Sequence, residues 1–404
     1  MRVSILAGGL VAALMASHVQ AQDLPVFRIG VLNDQSGLYA DIAGPGAVQA
    51  AQMAVEDFKP ETKGFRVEIV AADHQNKPDV GAGIVRRWFD QERVDAIVDV
   101  PTSSVALAVS DISREKNRVF LITSAGTSDL TGKACTRNNV HWTYDTWAVA
   151  NGTARALIAK GDKNWFFLTA DYAFGHALER DAASVVKANG GEVLGRVLAP
   201  FQTNDFSSFL LQAQASRPQV LALANSGGDT INAMKQAGEF GMTASGIRIA
   251  SLLSFISDIH AMGLPTAKGL LLTEAFYWDL NDGTRAWSKR FAPRNAGKHP
   301  TMNQAGTYAA MLHWMKALEA MDKGKARDGA AVVAQMKALP TEDALFGKGV
   351  IREDGRKVHD MYLLEVKAPA ESKAPYDYYK LVSTIPGDQA FRPLTASECP
   401  FLKK

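Results

Sequence analysis

Residues 98–131 constrain the fold most strongly, because they read as a strand, a helix and a second strand in immediate succession. Their sequence is VDVPTSSVALAVSDISREKNRVFLITSAGTSDLT. The first strand ends in Pro-Thr-Ser-Ser and the second in Ala-Gly-Thr-Ser. A helix that connects two parallel strands places both strand ends at the same edge of a sheet. We therefore predict an open α/β sheet with a ligand site at this edge, where such folds bind their ligands.

Strands and helices alternate on both sides of this segment. Strand-like apolar runs of the first series lie at 27–32, 65–71 and 95–100. Helical patterns at 44–58 and 78–90 separate them, and a second series of similar size follows between residues 148 and 250. From residue 347 the chain is rich in short strands, so it cannot simply extend either series. The pattern predicts two α/β lobes, with a chain that crosses between them more than once.

The first 21 residues have the composition of a secretory signal peptide. Arg2 precedes an apolar run at 3–16, and small residues come before Gln22. The run is shorter than the roughly 20 apolar residues of a membrane span. We therefore expect cleavage after Ala21 and export from the cytoplasm. The remaining chain exceeds one typical hydrophobic core, which predicts two domains.

The charge balance gives no basis for nucleic-acid binding. Removal of the signal peptide, whose one charged residue is Arg2, leaves 43 Lys and Arg against 42 Asp and Glu. A near-neutral chain of this kind lacks the basic footprint that nucleic-acid partners require. No other apolar run in the sequence approaches the length of a membrane span.

The mature chain has two cysteines, Cys135 and Cys399. In an oxidising compartment a lone pair favours a disulfide over a metal or catalytic site, which would need more ligands or a paired base. Such a bridge would tie the C-terminus to a loop far back in the sequence. Two unrelated buried thiols are the alternative.

Motifs for enzymatic chemistry are absent or incomplete. The sequence contains no GxSxG, and its two Ser-x-x-Lys sequences fall in predicted helices without partner motifs. Residues 126–133 resemble a phosphate loop, but the spacing between its two glycines is one residue too long. Ala134 also stands where a hydroxyl should bind Mg²⁺. The histidines form no HExxH pair. We predict no catalytic residue, no metal and no cofactor.

Hydroxyl groups at the two strand ends favour an anion site. Thr102, Ser103 and Ser104 stand where a strand gives way to a helix, whose first N–H groups lack helical partners. Ala125 and Thr127 follow the next strand. These small uncharged residues are suited to hold a carboxylate without reacting with it. The alternative is that Ser103 or Ser104 only caps its helix.

Asp229 is the candidate charged contact in the second half of the chain. It follows a strand and two glycines, at the start of a predicted helix. A buried carboxylate without a partner is costly, so its ligand should bring a donor such as an ammonium group. Alternatively, Asp229 only complements the helix dipole.

Aromatic residues gather at the predicted connections and strand ends. Clustering there is unusual for residues that prefer burial, and it favours an apolar pocket with few polar anchors. The residues are Tyr39, Trp142, Tyr144, Trp147, Tyr172, Phe276, Tyr277 and Trp278.

In their order and spacing these motifs resemble a known family, the type I periplasmic solute-binding proteins of branched-chain amino acid ABC importers. The segments that carry the resemblance are IGVLNDQSGLYADIAGPGAVQAAQMAVEDF, PTSSVALAVSD, ITSAGTSDLT, TADYAFG and SGGDTINAMKQAGEFG. The resemblance covers nearly all of the mature chain. It implies an α/β fold of two Rossmann-like lobes, joined by a three-segment hinge, that close on a ligand.

The resemblance also implies where the lobes and the tail lie. We expect lobe 1 at 24–143 and 276–351, lobe 2 at 144–275 and 352–392, and a C-terminal tail at 393–404 that Cys399 ties back.

The family's ligand contacts can be carried over residue by residue. The serine pair and the Ala/Thr turn that hold the α-carboxylate resemble Ser103, Ser104, Ala125 and Thr127. The aromatic that covers the ligand resembles Tyr172, the acid that receives the α-ammonium resembles Asp229, and Tyr39 resembles an aromatic at the cleft rim. With Thr102 and Phe276, these residues form the predicted ligand-binding set.

Two departures from the family bear on the ligand. Relatives usually carry a local disulfide in the first lobe, whereas Cys135 and Cys399 are far apart. The aromatic content near 142–147 and 276–278 also exceeds what a small aliphatic ligand requires, and some members of the family take aromatic carboxylates.

We therefore predict a monomeric periplasmic receptor that captures a small carboxylate with an apolar or aromatic body. It would deliver this ligand to the membrane permease of an ABC importer, without spanning the membrane itself. The alternatives are a ligand-sensing module for a separate signalling partner and a secreted enzyme that uses the same cleft.

Overall fold

The N-terminal half of the chain builds a parallel sheet of five strands. The computed structural model describes residues 24–402, and the predicted signal peptide at 1–21 lies outside this part. The strands are β1 (Val26–Asn33), β2 (Arg66–Asp73), β3 (Ala96–Asp99), β4 (Val119–Ile122) and β5 (Asn139–His141). The helices between them are α1 (Gly44–Phe58), α2 (Pro78–Asp90) and α3 (Ser103–Glu115). The strand order is β2-β1-β3-β4-β5.

The strands at the centre of this sheet read as continuous apolar runs because helices cover both faces. Every residue of β3 and β4 is buried. The bounds of α1 and α2 coincide with the helical patterns at 44–58 and 78–90, both of which begin with a proline in the first turn, where its missing N–H costs nothing.

A second parallel sheet follows in the chain. Its elements are α4 (Thr146–Ala159), β6 (Asn164–Ala170), α5 (Ala173–Ala188), β7 (Glu192–Ala199), α6 (Ser207–Ala215), β8 (Val220–Ala224), α7 (Gly228–Glu239) and β9 (Arg248–Ser251). The strand order is β7-β6-β8-β9. The helices α8 (Ile256–Met262) and α9 (Leu264–Ala267) then lead to β10 (Leu271–Glu274).

The C-terminal elements return to both lobes. They are α10 (Asp282–Phe291), α11 (Met302–Ala320), α12 (Gly329–Ala338), β11 (Thr341–Asp343), β12 (Gly347–Ile351), β13 (Lys357–Val358), β14 (Met361–Val366), β15 (Tyr379–Ile385) and α13 (Gly387–Ala390). Helix α11 packs on α1 of the first lobe. Strand β14 pairs antiparallel with β10 and β15, next to the second lobe.

The chain therefore crosses between the lobes three times. The first crossing lies between β5 and α4, because α4 packs on α5 and β10. The second lies between β10 and α10, and the third between β13, which pairs with β12, and β14. The predicted α/β fold of two lobes is confirmed, while the residue-level lobe boundaries stay a prediction. None of the helices within residues 24–402 combines the length and apolar character that a membrane span requires.

A disulfide between Cys135 and Cys399 ties the end of the chain to the first lobe, as predicted. The two Cα atoms are 5.6 Å apart and the bridge closes a sequence separation of 264 residues. The segment that leads to Cys399 is held by polar contacts as well. Arg392 Nη2 lies 2.9 Å from Asp181 Oδ1, and the Asn151 side chain donates to the carbonyl of Gln389 over 2.8 Å.

Removal of the bridge should lower stability, because a cross-link over so long a loop restricts the unfolded chain. We expect the double substitution of Cys135 and Cys399 by Ser to cost roughly 2 to 5 kcal/mol. Denaturant unfolding of the mature protein with and without dithiothreitol measures this cost. The double variant is the control, since the reductant should leave its unfolding curve unchanged; an equal midpoint for oxidised and reduced native protein would contradict the expectation.

Candidate functional site

Two turns of the first lobe meet at the carboxyl ends of β3 and β4. These strands pair in parallel with Asp99 opposite Ile122, so the residues after them emerge side by side. The serine turn, residues 101–104, leads into α3, and the threonine turn, residues 125–127, follows β4. The backbone N–H of Thr127 donates to Ser103 Oγ over 3.2 Å. The structure thus joins the two predicted strand ends directly.

The start of α3 has no capping side chain within the described residues. Thr102 precedes the helix in an extended conformation but makes no capping hydrogen bond. Its hydroxyl donates instead to the Asn76 side-chain oxygen. Ser103 and Ser104 are the first two residues of the helix, so the alternative that either serine only caps it does not hold. Uncapped N–H groups at a helix start favour a negatively charged ligand group.

The threonine turn is fixed by contacts with the chain that follows it. The carbonyl of Ala125 accepts a hydrogen bond from His141 Nε2 over 2.8 Å. The hydroxyl of Tyr144 donates to the carbonyl of Ser124, also over 2.8 Å. Thr127 is fully buried and its hydroxyl oxygen accepts from the N–H of Asp129. The Thr127 hydroxyl hydrogen therefore remains available to a ligand.

Asp34 was missed by the sequence reasoning, and it holds the loop that carries Tyr39. Its fully buried carboxylate accepts from the N–H of Gly37 over 2.7 Å and from the N–H of Tyr39 over 2.8 Å. The Asn76 amide donates to the same carboxylate over 2.6 Å, and Asn76 in turn accepts from Thr102. The Asp34 carboxylate therefore fixes both the Tyr39 loop and Asn76, which in turn holds Thr102 of the serine turn. The Asp-x-x-Gly spacing of the Asp34 turn is a local signal for this geometry.

Aromatic side chains from both lobes meet over these turns. The hydroxyl oxygens of Tyr39 in the first lobe and Tyr172 in the second are 2.5 Å apart. Phe201, also of the second lobe, lies against both rings, with centroid distances of 4.5 Å to Tyr172 and 5.7 Å to Tyr39. The structure brings together the two predicted aromatic contacts and adds Phe201.

A glycine allows the close approach of the lobes at this point. Gly227 adopts a φ of 61°, and a Cβ atom there would lie 3.1 Å from both the Leu38 carbonyl oxygen and the Tyr39 ring. A larger residue would therefore meet unfavourable backbone geometry and push the Tyr39 loop away. The glycines that precede Asp229 serve the contact between the lobes.

A small cavity lies between the two lobes at this contact. Its volume is about 10 Å³, close to that of one water molecule. Residues of the first lobe and of the first crossing segment line one side of the cavity, and residues of the second lobe line the other side. The lining residues are Tyr39, Ile42, Pro101, Ser124, Tyr144, Tyr172, Phe174, Ser226 and Leu253. All of these side chains are uncharged.

Phe276, which was predicted to contact the ligand, lies in the hydrophobic core. It is 1% exposed and packs in the core against Trp287 and Phe346, with centroid distances of 6.1 Å and 6.3 Å. The predicted aromatic wall is therefore provided by Tyr39, Tyr144 and Tyr172. Within residues 24–402 no group of three or more His, Cys, Asp or Glu side chains is arranged to hold a metal ion.

Asp229 lies in the first turn of α7 and is 2% exposed. Its Oδ2 accepts from the backbone N–H of Gln202 over 3.2 Å. Burial raises the pKa of this carboxyl to about 6, against the opposing effect of the N–H groups of Gln202 and Thr203. Burial raises the pKa of Tyr39 and of Tyr172, and the negative charge of Asp229 raises both further, so Asp229 lies close to the aromatic contact.

The raised pKa of Asp229 predicts a pH effect on stability. The folded state holds this proton more tightly than the unfolded state, so the stabilisation is complete below about pH 4 and is lost as pH rises to about 6. We expect Asp229→Asn, which keeps an acceptor for Gln202, to be more stable than the ligand-free native protein at pH 8 by roughly 1 to 3 kcal/mol. Denaturant unfolding of the native protein and of the variant at pH 4, 6 and 8 tests this. A difference in unfolding free energy between the two proteins that stays the same at all three pH values would contradict the expectation.

Comparison with known proteins agrees with this architecture. Residues 26–373 match the family described as periplasmic binding protein. A solved periplasmic binding protein from Burkholderia mallei is 47% identical, with a TM-score of 0.90, and the match covers 94% of this chain and 99% of that one. A branched chain amino acid ABC transporter periplasmic ligand-binding protein from Burkholderia xenovorans LB400 is 39% identical with a TM-score of 0.81, and the match covers 93% and 99% of the two chains.

A curated relative from Brucella melitensis biotype 1, Leu/Ile/Val-binding protein homolog 6, is 26% identical over 365 residues. The match covers 88% of this chain and 90% of the relative. Sequence family, fold and full-length coverage agree with the two-lobed structure. The chain belongs to the periplasmic binding protein family.

Proposed function

We propose that this protein is the solute-binding component of an ABC importer, and that it captures a small carboxylate with an apolar or aromatic body between its lobes. The observation that carries this proposal is the junction of Ser103 with Thr127, which lies at paired strand ends beneath the Tyr39–Tyr172 contact. The names of the Burkholderia xenovorans and Brucella relatives support the transport role. The ligand is bound and released without chemical change.

The first lobe provides the carboxylate site. The hydroxyls of Ser103 and Thr127 and the first N–H groups of α3, including that of Ser104, would donate to the two carboxylate oxygens. Thr102 and Ala125 act indirectly, because Thr102 donates to Asn76 and Ala125 accepts from His141. Hydrogen bonds of this kind to a charged group are about twice as strong as those between neutral groups.

The second lobe closes over the ligand. Tyr172 immediately precedes α5, so a rigid movement of that lobe carries its ring toward or away from Tyr39. The three crossings form the hinge for this movement, which ligand contacts with both lobes would stabilise. We propose the predicted lobe bounds, 24–143 and 276–351 for lobe 1 and 144–275 and 352–392 for lobe 2, with one change: residues 352–358 join lobe 1, because β13 pairs with β12. The tail at 393–404 is tied back by the disulfide.

The compartment and the partners follow from the same proposal. The signal peptide at 1–21 would direct the chain to the periplasm, where the disulfide persists. The mature protein would act as a monomer and present its closed, loaded form to a membrane permease.

Ligand binding should raise the melting temperature of the purified mature protein. A ligand at about 100 times its dissociation constant adds roughly 2.7 kcal/mol to the free energy of unfolding. A thermal-shift screen of amino acids, aromatic acids and short aliphatic acids measures this effect. The methyl esters of the hits, which lack the carboxylate charge, serve as controls and should give no shift. Absence of a shift with every carboxylate would contradict the proposed function.

Ser103→Ala should weaken binding of any hit by about 10-fold to 100-fold, because one hydrogen bond to the carboxylate is lost. The matched control is Ser110→Ala on the same helix. Ser110 is also buried and accepts one hydrogen bond, from Asn139 over 2.7 Å, but it lies two turns from the helix start. Both variants should lose similar stability without ligand, and calorimetric titration should show weakened binding only in Ser103→Ala. Equal dissociation constants for the two variants would contradict the role of Ser103.

A further inference from the structure

A row of four aromatic rings lies outside the ligand cleft. In order, the rings belong to Trp278 of the second crossing, His299, Tyr376 and His260. The ring centroids of Trp278 and His299 are 4.4 Å apart. Those of His299 and Tyr376 are 4.8 Å apart, and those of Tyr376 and His260 are 4.5 Å apart. None of these rings lines the cavity between the lobes, so the aromatic row is separate from the ligand site.

The contact between His299 and Tyr376 joins the two lobes. His299 lies three residues before α11, which packs on α1 of the first lobe. Tyr376 lies between β14 and β15, and its ring stacks on His260 of α8 in the second lobe. The His299 and Tyr376 rings are inclined by 26°, a stacked arrangement that stabilises beyond the area it buries. The lobes therefore share a second aromatic contact besides that of Tyr39 with Tyr172.

The backbone of Tyr376 is strained where it holds this ring. Its φ is 67°, a region that bulky residues rarely adopt. Its carbonyl oxygen accepts from Trp278 Nε1 over 2.7 Å and from the Tyr277 hydroxyl over 3.1 Å. Both donors belong to the second crossing. Strain of this kind persists only where the surroundings hold it, and it concentrates at functional positions.

His299 is linked to the loop that carries Tyr39. The hydroxyl of Thr301, two residues after His299, donates to the carbonyl of Ile42 over 2.7 Å. Ile42 follows Tyr39 by three residues and itself lines the cavity between the lobes. One connected part of the first lobe thus meets the second lobe twice, in the cleft through Tyr39 and outside it through His299.

The surroundings of His299 favour its neutral form. Within residues 24–402, its Nδ1 is buried and has no hydrogen-bond partner, and burial lowers the pKa of the imidazole. A proton on Nδ1 would therefore lack an acceptor while the ring is stacked.

Most of the charges around His299 are paired with one another. Arg285 and Lys289 of α10 line the same surface pocket as His299. The other titratable groups on the segments around it are Lys298 paired with Asp41, Asp279 and Asp282 paired with Arg285, Asp377 paired with Lys367, and Tyr376, Tyr378 and His260. The carboxylates of this group are thus engaged by other cations, which leaves His299 without a counterion.

We infer that the contact of His299 with Tyr376 is a latch that holds the lobes closed on the ligand, and that protonation of His299 releases it. The inference rests on the proposed function, which supplies the ligand that the latch retains. Opening of the lobes exposes the imidazole to water, so its pKa is lower in the closed form than in the open form. Closure is therefore favoured above the ordinary histidine pKa of about 6.5 and weakens as pH falls below it. His299 and Tyr376 are positioning residues, because they hold the lobes and not the ligand.

The rate of ligand release tests the latch. The probes are L-leucine and benzoate, followed by stopped-flow dissociation at pH 8. His299→Ala should release a probe about 2-fold to 10-fold faster than the native protein, because one aromatic pair is lost. His299→Phe keeps a ring and should release it at nearly the native rate. Phe209→Ala is the matched control, because Phe209 packs on Phe206 within the second lobe, with a centroid distance of 6.2 Å.

The pH profile separates the latch from a merely structural role. Between pH 8 and pH 5, release from the native protein should accelerate about 3-fold to 10-fold more than release from His299→Phe, whose ring does not titrate. Other carboxyl groups and the probe itself titrate alike in the two proteins. The ratio of the two rates therefore isolates the proton on His299.

Equal release rates for His299→Ala and Phe209→Ala, or a native to His299→Phe ratio that stays constant over this pH range, would overturn the inference and leave the proposed function intact. If neither probe binds, small-angle X-ray scattering of the ligand-free proteins at pH 8 decides the inference. His299→Ala should then have a larger radius of gyration than Phe209→Ala, and equal radii would overturn the latch. The thermal-shift screen decides the proposed function separately.

Discussion

The site depends on the parallel pairing of β3 with β4. Because Asp99 lies opposite Ile122, the serine turn and the threonine turn leave the sheet at the same level and reach each other through one hydrogen bond. The same edge of the sheet accepts the Asp34 loop, since Asn76 joins the Asp34 carboxylate to Thr102. A shift of the pairing by one residue would turn every side chain to the opposite face. The proposed ligand site is therefore a consequence of strand register more than of any single residue.

Local features of the sequence predicted much of this fold. The bounds of α1 and α2 and the strand-helix-strand unit around α3 follow from apolar periodicity and from proline at helix starts. The regular helix of α10 ends at Phe291, two residues before Pro293, because proline lacks the N–H that would continue it. The cysteine count, together with the expected export of the chain, favoured the bridge that the structure shows.

Contacts between the lobes were less accessible to sequence reasoning. Tyr39 and Tyr172 are separated by 133 residues, and their hydroxyl contact depends on how two lobes approach rather than on any local pattern. Phe201 belongs to the same cluster, yet nothing near it in the sequence marks it. Phe276, in contrast, was predicted as a ligand contact and is not one, because an aromatic residue after a strand fits a pocket wall and a core equally well. The structure places it in the core.

Two buried basic side chains, Arg356 and Lys357, hold the hinge. Arg356 precedes β14 by a few residues and donates to the carbonyl of Tyr144 at the first crossing over 2.9 Å. Lys357 Nζ lies 4.7 Å from the ring centroids of both Trp142 and Phe346, and burial lowers its pKa to about 7. These contacts join the first crossing to the segment that leads into the third crossing. A hinge tied in this way favours rotation of whole lobes over independent bending of its strands.

The contact between Tyr39 and Tyr172 opposes ligand entry, because it must be broken before a ligand can bind between the lobes. A cavity of about 10 Å³ cannot admit an aromatic acid while Tyr39 and Tyr172 share their hydrogen bond. Ligand entry therefore requires the lobes to part, and the observed affinity equals the intrinsic affinity reduced by the fraction of open molecules. In the proposed binding mode the same rings cover the ligand on closure, so they contribute to both the empty and the loaded state. Under this proposal, binding strength depends on the difference between two aromatic contacts, one between the lobes and one with the ligand.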